Sequence, residues 1–329
     1  MKLVSRIGSL YSSLKLDRIY IIDVCVYKVK SIIYKTLGLF SRNKITYRKD
    51  FADRATDKLC IFAHYDANDS IDNYVVFYLE RLNSLGYKIV LVSTASKLPD
   101  EEINKVSSIV FRVICRTNIG YDFGSWKTGL DSIGYLGSYN QIVFCNDSVY
   151  GPLCDLGTIF EIMDRRCLDM WSITDSYEHR YHLQSYFIVC NARLIRSEVF
   201  SNFWLNFKYY SNELKKSIIK EYEIGISSIV SRCGFKIGAY IEYFDLLVSI
   251  ANSGIKREEY IERVMSSHVN PSQVFWKEAI LLSNSPFLKV DVVKHNRYAM
   301  KEENGWACVV ASRGYNDKLI VEHLKKARM

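Results

Sequence analysis

Proline is scarce in this chain, four among 329 residues, and neither a low-complexity linker nor an internal repeat interrupts it. With 49% hydrophobic and 24% charged residues it has the composition of an ordinary folded protein. Uncharged apolar runs of the roughly 20 residues needed to cross a bilayer are missing, and so is a clean signal-peptide cleavage pattern. Nine cysteines occur singly, without the short paired spacing of a zinc site. An odd, scattered set, several of them inside apolar runs, reads as core thiols of a protein kept in a reducing cytoplasm.

Net charge is missing from most of the chain as well. The formal charge is +8, yet residues 1–50 alone hold eleven Lys or Arg against Asp17, Asp23 and Asp50, which leaves 33 basic and 33 acidic residues in 51–329. A neutral body argues against nucleic-acid binding. The basic segment interleaves its charges with Ile19, Ile21, Ile22, Val24, Val26, Ile32 and Leu37. It suits either an interfacial helix on anionic lipid or a helix packed on the body with its lysines in water. The expected division is a basic, apolar N-terminal helical arm over 1–50 and one domain with a C-terminal extension over 51–329.

From Phe51 onward, strand-like and helix-like segments alternate, the signature of an open α/β sheet. Leu59–Ala63 predicts a strand, Ile71–Leu85 an amphipathic helix closed by Gly86, and Lys88–Ser93 a second strand. A short helix after Pro99 precedes strands at Ile109–Ile114 and Gln141–Cys145, with a glycine-rich loop and a helix near Ser125–Ile133 between them. Further strands are expected at Asp169–Ile173 and Tyr186–Cys190, and helices at Leu194–Phe207 and Asn212–Cys233. The last 100 residues are less periodic and read as irregular additions, ending in a basic helix near Lys318–Lys326.

Five ordered blocks stand out: FAHYDANDSIDNYVVFYLERL, RTNIGYDFGSWKTGL, FCNDSVYGPL, HLQSYFIVCNARLI and NPSQVFWKEAILLSNSPFLKVDVVKHN. In this order the chain resembles the rhamnan synthesis protein F family, bacterial glycosyltransferases of rhamnose-containing cell-wall polysaccharides, capsules and O-antigens. The resemblance implies a GT-A-like open mixed α/β sheet flanked by helices and a nucleotide-sugar donor, foremost a dTDP-rhamnose. It also implies a lipid-linked glycan acceptor and a place at the inner face of the plasma membrane, where the N-terminal arm would meet anionic lipid. A noncatalytic subunit that binds a sugar nucleotide or glycan is the alternative.

Such chemistry needs positive charge or a divalent cation, Mg or Mn, at the leaving diphosphate and a base for the acceptor hydroxyl. Asp147 follows the Gln141–Cys145 strand, where GT-A enzymes carry a pair of metal-binding aspartates. Here Cys145-Asn146-Asp147-Ser148 supplies one carboxylate and neutral oxygens, or simply an Asx turn. In the glycine-rich loop, Gly120 and Gly124 could bring backbone N–H groups to a ligand, Arg116 and Lys127 could meet phosphate, and Asn118 and Asp122 sugar hydroxyls. Neither a GxGxxG nor a Walker spacing is present; on the bland reading the glycines shape a turn, and Trp126 reads as core. His64 and Asp66 leave the first strand at a position suited to nucleotide contacts, although Asp66 could equally cap the next helix. His182, Gln184 and Ser185 are candidates for the acceptor side. Glu223, with Glu221 beside it, is the candidate base, against the reading of a solvated helix face. His295 is a candidate late ligand of the metal or diphosphate.

Overall fold

The computed structural model describes residues 42–210, 215–254, 270–295 and 305–326. Almost all of the expected N-terminal arm lies outside these residues. The first described strand, β1 (Ile45–Asp50), falls within the arm as drawn from sequence. It runs antiparallel to β4 (Arg112–Arg116) at the edge of the sheet, so the domain begins before Phe51. The bidentate pair of Arg112 with Asp50, at 2.6 and 2.7 Å, fastens that edge.

The central strands are β2 (Lys58–His64), β3 (Lys88–Ser93), β4 and β5 (Gln141–Asn146). They lie parallel in the order β4-β3-β2-β5. Continuous apolar runs form them because both faces are covered. Alternate side chains serve different layers. Cys60, Phe62, Ile89 and Leu91 join one core with helix α1 (Asn73–Ser84). Leu59, Ile61, Val90 and Val92 join the other with α3 (Tyr121–Ser132), while α2 (Asp100–Val106) connects β3 to β4.

Beyond β5 come a two-residue strand β6 (Val149–Tyr150), helix α4 (Leu156–Arg165) and strands β7 (Met170–Ser176), β8 (His182–Leu183) and β9 (Phe187–Asn191). β9 is antiparallel to both β5 and β7, and β7 is parallel to β10 (Ile237–Ile241). The result is a nine-stranded open mixed sheet flanked by helices, the expected fold class. No described helix is long and apolar enough to cross a membrane.

Three features differ from expectation. Helix α3 starts at Tyr121, a turn before Ser125, because Gly120 (φ 72°) and Tyr121 (φ 50°) turn the chain into it through left-handed backbone. The segment Leu194–Phe207 is interrupted before α5 (Glu198–Leu205), where Ser197 Oγ accepts from Phe200 N–H. The last 100 residues are not irregular where described. After α6 (Ile224–Arg232) and β10 they supply α7 (Tyr243–Asn252), α8 (Trp276–Ser283), strand β11 (Leu288–Lys289), α9 (Val290–His295), α10 (Trp306–Ser312) and α11 (Lys318–Lys326). The final helix docks on α1 through buried Ile320 and the Lys326–Asp72 pair at 2.7 Å.

Helix α3 lies close against β2 at Gly129, where a Cβ would meet Ile61 Cγ2 at 2.3 Å. Gly129→Ala is therefore expected to destabilise the fold by about 1–3 kcal/mol through overpacking, outweighing the roughly 1 kcal/mol that alanine gains in a helix. Urea denaturation reads the difference; an unchanged or higher midpoint would contradict this packing.

Candidate functional site

Parallel pairing brings the carboxyl ends of β2 and β5 side by side, with Ala63 opposite Asn146. The residues just beyond those ends therefore meet. Tyr65 N–H donates to Asp147 Oδ2 at 2.7 Å, and Tyr74 Oη donates to the Asp147 carbonyl at 2.9 Å. Asp66 turns the following loop by accepting from Asn68 N–H, Ser70 N–H and Ser70 Oγ at 2.9–3.0 Å. From the first turn of α3, Asp122 Oδ2 accepts from Asn146 Nδ2 at 2.8 Å, while Asn146 Oδ1 accepts from Ser148. Backbone and amide donors thus fix three carboxylates around the mouth of the sheet, and all three line a cavity of about 590 Å³.

The rest of the lining comes from later elements. Gln184 and Ser185, leading into β9, line the cavity, as does Glu223. Glu223 closes a π-helical turn, Ile219–Glu223, immediately before α6. Such a turn shifts the direction in which a side chain points and is frequent at functional sites. Glu223 Oε1 accepts from Ser185 Oγ at 2.8 Å and from Ser185 N–H at 3.3 Å. Strand β11 pairs antiparallel with β6, Lys289 opposite Val149, and brings Lys289, Lys294 and His295 to the same cavity.

Charge is costly on both walls. Burial raises the Asp147 carboxyl well above the ordinary carboxylate range; Tyr65 N–H opposes the shift, and Asp122 and Asp66 add to it. Burial lowers Lys289 to about 8, partly offset by Glu223, Asp291 and Glu178.

Of the residues singled out from sequence, Asp66, Asp122, Asn146, Asp147, Gln184, Ser185, Glu223 and His295 line the cavity together. Others lie elsewhere. Arg116 is fully buried, and its guanidinium donates to the carbonyls of Thr117, Ile119 and Tyr121 and to Ser125 Oγ at 2.7–3.1 Å, leaving no N–H for a phosphate. It organises the loop from within. Gly120 forms the left-handed entrance to α3, and Gly124 clears space for Arg116, since a Cβ there would sit 2.8 Å from its Nη2. His64 is buried behind the site against Ser93 Oγ at 3.0 Å. Asn118 sits exposed in the loop and does not line the cavity. His182 is buried with its Nδ1 2.8 Å from the Arg180 carbonyl, and Trp126 is core, its indole donating to the Cys145 carbonyl at 3.0 Å. Lys127 pairs with Asp131, and Glu221 accepts from Tyr210 Oη.

Tyr65, between His64 and Asp66, lines the cavity as well; sequence reasoning missed Lys289, Lys294, His323 and Lys326, all lining residues. Lys289 and Lys294 lie five residues apart within FLKVDVVKHN, the end of the last quoted block, a spacing without helical or strand periodicity.

Residues 89–329 match the profile of rhamnan synthesis protein F. The virulence protein VirA of Vibrio anguillarum is 26% identical over 255 residues, covering 73% of this chain and 80% of that protein. The uncharacterized protein y4gN of Sinorhizobium fredii is 26% identical over 211 residues, 60% of this chain and 52% of its own. Among solved structures, residues 1–349 of TarS from S. aureus, in complex with UDP, align at 12% identity with a TM-score of 0.38, covering 76% of this chain and 78% of that one. The mannosyltransferase Ktr4p from S. cerevisiae aligns at 12% identity with a TM-score of 0.32, covering 73% and 84%. Structural likenesses this distant carry no argument about the site.

The Asp147 shift has a sign that can be measured. A raised folded-state pKa means that the protonated form is the one the fold favours, so this stabilisation is complete at low pH and is lost as pH rises through the folded value. Asp147→Asn keeps an acceptor for Tyr65 N–H. It is expected to melt with the wild type below about pH 4 and above it at neutral pH. A variant that is less stable at neutral pH would contradict the cost assigned to this charge.

Proposed function

Because the chain belongs to the rhamnan synthesis protein F family, we propose that it is a nucleotide-sugar-dependent glycosyltransferase of cell-surface polysaccharide synthesis, moving rhamnose from a dTDP donor onto a lipid-linked glycan such as an O-antigen or capsule precursor. One observation carries the reading: a single cavity gathers Asp147, Asp122 and Asp66 beyond the ends of parallel strands on one side, and Glu223 held by Ser185 on the other. The carboxyl ends of parallel strands are where open α/β sheets bind ligands.

In the proposed reaction the acceptor hydroxyl attacks the anomeric carbon. Its proton passes to Glu223, and the bond from that carbon to the diphosphate oxygen breaks with the electron pair leaving on the diphosphate. Ser185 occupies Oε1 of Glu223, and among the described residues no hydrogen bond engages Oε2, which in this reading takes the proton. Asp122 and Asp147, fixed by Asn146 and Tyr65, orient the donor.

A divalent cation, Mg or Mn, is part of the proposal. Asp147 offers a hard oxygen ligand, and the mutual repulsion of Asp147, Asp122 and Asp66 is what a cation relieves. Among the described residues no three His, Cys, Asp or Glu side chains form a metal-holding group. The fit is therefore to an ion that takes its remaining ligands from substrate and water. When bound, it would neutralise charge on the leaving diphosphate. The segment before the first strand fits a peripheral attachment to the inner face of the plasma membrane, since residues 1–41 hold seven basic residues against two acidic ones.

The test is a screen of nucleotide sugars with purified full-length protein and a synthetic lipid-linked acceptor. Transfer is expected from at least one donor. Glu223→Gln should lower kcat by about 10²–10⁴-fold while leaving donor affinity within about threefold, below the tenfold that 1.4 kcal/mol represents. Donor binding without transfer or hydrolysis would establish a noncatalytic binding subunit instead; absence of binding by every nucleotide sugar would overturn the reading.

A further inference from the structure

The cavity has a second charged wall that the proposed reaction has not used. It is built by the C-terminal elements. The β6–β11 ladder pairs Leu288 with Tyr150 and Lys289 with Val149, and Val290 N–H donates to the Ser148 carbonyl at 2.9 Å. Helix α9 starts at Val290, so Lys294 follows one turn later. Both lysines thus face the cavity beside the strand end that carries Asp147.

Lys294 is held in an unusual way. Its ammonium lies 2.9 Å from His323 Nε2, and His323 is only 7% exposed. An ammonium has no acceptor, so Nε2 must accept; the imidazole is neutral with its proton on Nδ1, donated to Tyr150 Oη at 2.9 Å. The ring stacks on Tyr74 with centroids 4.8 Å apart, which fixes it further. The Asp72 carboxylate is 3.8 Å from Nε2 and already holds Lys326 at 2.7 Å. An ammonium in this position has two N–H donors beyond the one given to His323. Lys289 lies over the Tyr186 ring at 5.1 Å. Among the described residues neither Lys289 nor Lys294 makes an ion pair with a carboxylate. Two ammonium groups without a directly paired carboxylate on a partly buried surface cost stability unless an anion joins them.

We propose that Lys289 and Lys294 form an anion site for the diphosphate of the donor, in the cavity that Asp147 also lines, with His323 as the positioning residue that aims Lys294. This rests on the glycosyltransferase reading above and extends it. A nucleoside diphosphate departs with more negative charge than one divalent cation neutralises, and the two lysines take the remainder as point charges. The terminal helix α11, which carries His323, is on this account part of the donor site and not an appendage.

Calorimetry on the full-length chain tests it, with dTDP, inorganic pyrophosphate and vesicle-borne short-chain prenyl diphosphate as probes, each in Mg and in EDTA. Lys294→Met and Lys289→Met are each expected to weaken dTDP and pyrophosphate by about 10- to 100-fold, the size of a charge-assisted hydrogen bond. His323→Ala should weaken both probes, and His323→Gln, which restores an acceptor for the ammonium, should recover most of the loss. A merely structural histidine would not show that recovery. Lys294→Gln serves if Lys294→Met fails to fold, judged by circular dichroism. Wild-type affinity for dTDP in folded lysine variants would overturn the proposal while leaving the transferase reading intact. Loss confined to the prenyl diphosphate would overturn the donor assignment and give the site to the acceptor. If the wild type bound no probe and no nucleotide sugar, both would fall together.

Discussion

Two rungs of backbone pairing hold the candidate site together. The ladder between Val149–Tyr150 and Leu288–Lys289 joins the end of the central strand to a segment about 140 positions later in the chain. It is short, but neighbouring contacts reinforce it: Leu153 N–H donates to the Pro286 carbonyl at 2.7 Å, and buried Phe287 and Leu288 enter the larger core. Closing so long a loop has an entropic cost that grows only slowly with length. Side-chain burial around the ladder is able to offset it. Without this junction the carboxylates beyond the central strand ends and the lysines of the C-terminal elements would not share a cavity.

The charges on the two walls are destabilised in opposite senses, Asp147 raised and Lys289 lowered, and in both the largest cause is removal from water. Such an arrangement costs the empty fold stability and suits a ligand carrying both signs, or an anion accompanied by a cation. The Asp72–Lys326 pair differs in kind. It satisfies its own charges, and its task is to dock the terminal helix so that His323 reaches Lys294.

The central sheet was legible because its strands are continuous apolar runs buried on both faces: Lys88–Ser93 is found as read, and Gln141–Cys145 is extended by one residue. Strand Ile45–Asp50 was not, since an exposed edge strand ending in three consecutive charged residues has little apolar periodicity. The start of helix α3 was hidden by Gly120 and Gly124, which read as loop. Arg116 looked like a phosphate ligand because it is basic and adjoins those glycines; only the tertiary fold shows the loop's own carbonyls closing around it. Asp147, Asp122 and Glu223 were visible as residue types after strands or on helices, and the fold brings them together. The lysine wall was not visible, because its position depends on a two-residue ladder that leaves no periodic trace in sequence.

The central claim is that one cavity holds a sugar nucleotide with its diphosphate between Asp147 and the pair Lys289 and Lys294. A crystal structure of the full chain with a non-hydrolysable dTDP-sugar and Mg measures this most directly. The account predicts diphosphate density between those side chains, with the sugar directed toward Glu223. A ligand bound outside the cavity, or one whose diphosphate touches none of these three residues, would contradict it.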